Sequence, residues 1–113
     1  MIKTTYFIVL FCFLLLSISC EKGNLYLEES KFNTLCNIYK NIASKNISVN
    51  EKETAIYNTV KAELPDFFKD YFDHISNTDR NRKYSFTQEI ASARTNNELN
   101  WECGAMKEYY ENT

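Results

Sequence analysis

Hydrophobic residues follow two patterns along this chain. Residues 6–16 form an almost unbroken apolar run, preceded by Lys3, whereas from about Leu25 onward apolar residues recur every three or four positions. The second pattern is the helical period, because side chains three or four apart share a helix face. Phe32, Leu35, Cys36, Tyr39, Ile42 and Ala43 make such a stripe and predict a first helix from about Leu25 to Ser44. Ser48-Val49-Asn50-Glu51 has the form of a capping box, in which serine and glutamate satisfy free backbone N–H groups. It predicts a second helix from Val49 to Glu63 with Ile56, Val60 and Leu64 inward, broken at Pro65. From Asp66 to Ile75, at about 100° per residue, Phe67, Phe68, Tyr71, Phe72 and Ile75 share one arc. Asp66, Lys69, Asp70 and Asp73 share the opposite arc. A polar loop closes with Arg80, Arg82 and Lys83, and a helix from Tyr84 to Thr95 groups Phe86, Ile90 and Ala93. Asn96-Asn97 breaks that helix, and the last one, from Glu98 to Tyr110, aligns Leu99, Cys103, Met106 and Tyr110.

The expected architecture is therefore all-α, a small bundle of four to five short helices. Two glycines and one proline in 113 residues are too few for the closely spaced turns of a hairpin-rich β fold. Asparagine and serine supply the loops instead.

The apolar run near the start is too short to span a bilayer, which takes about 20 residues. A charged start, an apolar middle and a small-residue exit are the layout of an export signal. Its ending, Leu16-Ser17-Ile18-Ser19-Cys20, resembles the lipobox of bacterial lipoproteins, although Ser17 stands where that family usually has its leucine. The resemblance covers the signal alone. It implies acylation of Cys20 and attachment to the membrane through acyl chains. Glu21 in place of the aspartate that marks inner-membrane retention in the family implies an outer-membrane location facing the periplasm. Ordinary signal-peptidase cleavage after Ser19 is the alternative, because Ser17 and Ser19 are small enough for such a site. The domain organisation is then 1–19 export signal, 20–27 lipidated cysteine and short tether, and 28–113 helical domain. Removing residues 1–19 from the 113 leaves 94, enough for one small core. Those 94 carry 12 Lys+Arg, since Lys3 leaves with the signal, against 15 Asp+Glu. A mildly acidic domain has no electrostatic basis for binding nucleic acid.

Cysteine chemistry sharpens the picture. Ordinary cleavage leaves Cys20, Cys36 and Cys103, an odd number in an oxidising compartment; lipidation consumes Cys20 and leaves a pair. Cys36 and Cys103 lie on inward stripes of the first and last helices, so a disulfide between them is expected. A reactive cysteine is the rival reading, but no C-x-x-C motif or neighbouring histidine accompanies either residue.

Asp66, Asp70, Asp73 and His74 stand at three- and four-residue spacings, so Asp70, Asp73 and His74 are weak metal candidates; a solvated helix face explains them more simply. Arg80, Arg82 and Lys83 read as a solvated loop or a contact for an acidic partner. Trp101 and Tyr109 are candidate partner contacts, because the last helix has a wider apolar angle than one buried stripe needs. No serine-nucleophile, zinc-protease, P-loop or dinucleotide motif occurs, and His74 is the one histidine. No cofactor and no enzyme activity are expected. The expected function is a protein-binding or assembly factor near the membrane. An inhibitor or immunity protein against an envelope-acting toxin is the alternative, and a secreted non-lipidated protein or small enzyme stands third.

Overall fold

The computed structural model describes residues 25–112, and these build an all-α fold of five helices. The expected export signal, the expected lipidation residue Cys20 and the start of the expected tether lie outside the described residues. Helix α1 covers residues 25–43. Helix α2 is Val49–Glu63, the span that the capping box predicts, with Ser48 Oγ accepting the Glu51 N–H at 3.2 Å. Helix α3 runs from Pro65 through α-helical Pro65–Phe67, a π turn Phe68–Phe72 and α-helical Asp73–Ser76. Proline suits this first position because its missing N–H would have no intrahelical partner there. A 3₁₀ turn Arg80–Arg82 leads into α4, Lys83–Arg94, and α5 is Gly104–Glu111. No described helix is long and apolar enough to cross a membrane.

The core is one cluster shared by all five helices. Phe32, Leu35, Tyr39, Val60, Ile75 and Met106 are fully or almost fully buried in it. In α3 the π turn decides which aromatics enter. Phe67 and Phe72, five residues apart, are both buried, while Phe68 and Tyr71 between them are half-buried. In a regular α-helix, residues five apart point in divergent directions. The i→i+5 pattern of a π turn swings them toward one face.

Two expectations about helices need correction. First, α4 buries Tyr84, Thr87 and Ala91, with Phe86 and Ile90 only half-buried and Ala93 exposed. A threonine fits in the core because Thr87 Oγ1 donates to Lys83 O at 2.7 Å, satisfying its hydroxyl within the helix. Second, the last helix starts at Gly104, six residues later than the apolar spacing predicts. Asn96 and Asn97 take left-handed backbone conformations, φ 53° and 64°. Asn97 N–H bonds back to Ser92 O at 2.8 Å, the closing bond of a Schellman-type helix end. Thr95 Oγ1 then accepts the Leu99 N–H at 3.1 Å, and the chain runs on to Cys103 without helix.

The Cys36–Cys103 disulfide joins α1 to the start of α5, with Cα atoms 5.6 Å apart. Cys103 has a second local role, as the N-cap of α5, its sulfur accepting the Met106 N–H at 3.4 Å. At the far end of the domain, Arg94 forks onto Glu28 with contacts of 2.9 and 3.4 Å, fastening α4 to α1.

Candidate partner-binding site

The helix ends assemble two features side by side: a polar cluster that locks α2, α3 and α5 together, and an open groove next to it. Arg80 organises the cluster. Its guanidinium contacts Glu53 on α2 at 2.5 Å, donates to Tyr109 O on α5 at 3.0 Å, and lies over the Tyr109 and Tyr110 rings at 4.9 and 5.3 Å. Lys83 is buried, contrary to its expected place in a solvated loop. Its ammonium donates to Ile75 O and Ser76 O, at 2.8 and 2.5 Å, and so closes the carbonyl end of α3. Of the three basic residues only Arg82 is exposed. The segment is a structural clamp, since two of its three charges are engaged inside the fold.

Below the clamp, the hydroxyls of Tyr39 and Tyr110 meet at 2.5 Å inside the core. Burial, reinforced by Tyr110, holds the Tyr39 phenol well above its ordinary value, and burial does the same to Tyr110. Tyr109 shifts in the same direction, again through burial. In the unfolded chain these phenols ionise near pH ~10. Their folded pKa values lie higher, so the stability they support is complete below that pH and is lost as pH rises through the folded values. Each tyrosine titrating in the unfolded chain alone removes about 1.4 kcal/mol per pH unit. Lys83 works in the opposite sense. Burial lowers its pKa, so it adds stability as pH rises toward the ordinary lysine value, about 10.5, and nothing beyond. Denaturant unfolding at pH 9 to 11.5 should therefore show a decline that steepens above about pH 10.5. Tyr110→Phe should flatten that decline. An unchanged alkaline slope in this variant would remove the tyrosine pair as its source.

The groove has a volume of about 330 Å³ and is lined by Lys40, Ala43, Ser44, Val49, Lys52, Ala105, Glu108 and Tyr109. Three elements meet here: the end of α1, the start of α2 and the middle of α5. Lys52 holds two of them in register, its ammonium donating to Ala43 O at 2.8 Å and satisfying a free carbonyl at the end of α1. Val49 on the wall and Ile47 in the adjoining loop are both exposed. An apolar floor rimmed by Lys40, Lys52 and Glu108 can accept an aliphatic side chain flanked by either charge.

The sequence-derived contacts fare differently. Trp101 is a core residue, packed against Phe32 and Tyr84 with ring centroids 5.5 and 5.9 Å away. Residues 98–103 are not helical, and the non-helical path turns Trp101 inward, against the expectation of an exposed contact. Tyr109 is also nearly buried, yet it lines the groove. The groove itself was not foreseen; the one hint was an apolar pair, Ile47 and Val49, straddling a helix cap. Asp70, Asp73 and His74 all lie exposed on α3, and no group of three His, Cys, Asp or Glu side chains among the described residues is placed to hold a metal ion.

The chain matches no protein-family model, no curated protein and no solved structure.

Proposed function

We propose that this chain is a small lipoprotein of the bacterial cell envelope, anchored through acyl chains on Cys20, whose helical domain binds another protein. The observation that carries the reading is the Cys36–Cys103 disulfide, bridging two positions 67 apart in the chain. Such a bond persists in an oxidising compartment outside the cytoplasm. It also accounts for both cysteines of the folded domain, leaving Cys20 for lipid. The lipobox-like ending of residues 16–20 and Glu21 after the cysteine favour the outer membrane, facing the periplasm. The groove between α1, α2 and α5 is the proposed contact surface.

The anchor and the contact are separable experimentally. Radiolabelled palmitate should enter the exported protein, and Cys20→Ala should abolish the labelling; undiminished labelling of that variant would refute the anchor. Val49→Asp places a charge on the exposed groove wall. It should reduce co-purification of a crosslinked envelope partner at least tenfold while changing Tm by no more than a degree or two. Equal recovery with both proteins would exclude the groove as the contact.

A further inference from the structure

Tyr26 and Leu27 are the two most exposed large apolar side chains among the described residues, at 73% and 56%. They stand at the start of α1, six and seven residues after Cys20. Resting on the lipoprotein reading above, we infer that Tyr26 and Leu27 are a membrane-contact patch that seats the domain on the bilayer interface.

Three observations select lipid as the occupant. The first is reach. Six residues span at most about 21 Å fully extended, and less in any folded form, so an acylated Cys20 holds both side chains within reach of the head-group layer. The second is chemistry. A tyrosine ring with a polar tip beside an aliphatic side chain suits the boundary between water and hydrocarbon, where tyrosine is enriched. The third is charge. The neighbouring Glu28 is engaged by Arg94 at 2.9 Å and Lys31 at 3.6 Å, so its own carboxylate is partly neutralised beside the patch. Glu29, exposed and one turn on from Tyr26, limits the depth, because its carboxylate has to remain among the head groups. Insertion is therefore shallow and needs no anionic lipid. The distance from Tyr26 to the end of α1 is about 25 Å at helical rise. The patch and the groove therefore stand at opposite ends of α1 and do not overlap.

The test uses the acylated protein in phosphatidylcholine vesicles whose chains carry bromine at a shallow or a deep position. Tyr26→Trp adds one emitter to the buried Trp101, and subtracting the wild-type signal isolates it. Shallow bromine should remove at least half of the added emission, deep bromine clearly less, and Trp101 should be unaffected by either. Leu27→Trp should behave alike. Added emission that stays unquenched in both variants, in protein that carries acyl mass on Cys20 and floats with the vesicles, would overturn this inference alone. Absence of acyl mass on Cys20 would overturn the anchor and this inference together.

Discussion

Trp101→Ala is expected to destabilise the domain by about 3–5 kcal/mol, the scale for deleting a buried tryptophan. The side chain is 4% exposed and fills the space between Phe32 on α1 and Tyr84 on α4. Its surroundings are tied together by hydrogen bonds. Gln88 Nε2 donates to Trp101 O at 3.1 Å, and the Tyr84 hydroxyl accepts the Cys103 N–H at 2.9 Å. A cavity at residue 101 would therefore loosen the irregular segment before α5, not only one ring. The indole N–H adds a more discriminating test, because it is buried and has no hydrogen-bond partner among the described residues. An unmet buried donor costs about 1–3 kcal/mol, which phenylalanine relieves while keeping most of the ring. Trp101→Phe should thus lose less than half of what Trp101→Ala loses in urea unfolding. As Trp101 is the one tryptophan, wild-type emission should be blue-shifted and move red on unfolding. Near-wild-type stability of Trp101→Ala would return this residue to the surface.

The reason for misplacing Trp101 shows where hydropathy stops being informative. Leu99, Cys103 and Met106 are spaced four and three apart, as on a helix, yet only Met106 stands on one. Periodicity cannot distinguish a helix from an irregular strap pinned to the core at matching intervals. Here the pins are the Thr95 hydroxyl, which holds Leu99 four residues on, and the Trp101 ring and the disulfide, whose partners lie far away in sequence. The second helix was legible to the residue because its cap is local: serine and its target N–H are three positions apart. The aromatic face of α3 was legible as well, but not its π turn, since nothing in the order of apolar residues distinguishes an inserted residue from ordinary spacing. Burial of Lys83 was hidden for a related reason. A lysine can be buried where carbonyls converge on its ammonium, and those of Ile75 and Ser76 do so only after α3 and α4 pack. The groove draws on three elements and has no sequence period of its own.

Removing the disulfide should be as costly as emptying the Trp101 site, by a different mechanism. Cys36 and Cys103 close a loop of 67 residues, about three-quarters of the helical domain. The chain-entropy model assigns about 4 kcal/mol to a loop of that length, acting on the unfolded chain. Against a total of about 5–15 kcal/mol for a small domain, that is a large fraction. The choice of variant matters because the Cys103 sulfur also caps α5. Cys36→Ala combined with Cys103→Ser retains an oxygen at the N-cap, so the measured loss reports the crosslink and not the cap. The freed unfolded chain should expand and expose more surface, raising the urea m-value along with the loss of stability. Both changes together are the expected signature. A loss of about 4 kcal/mol with no change in m would place the contribution in the native state instead. A loss below about 1 kcal/mol would show that the helices hold α1 and α5 together without the bond, and that this small core is more self-sufficient than its size suggests.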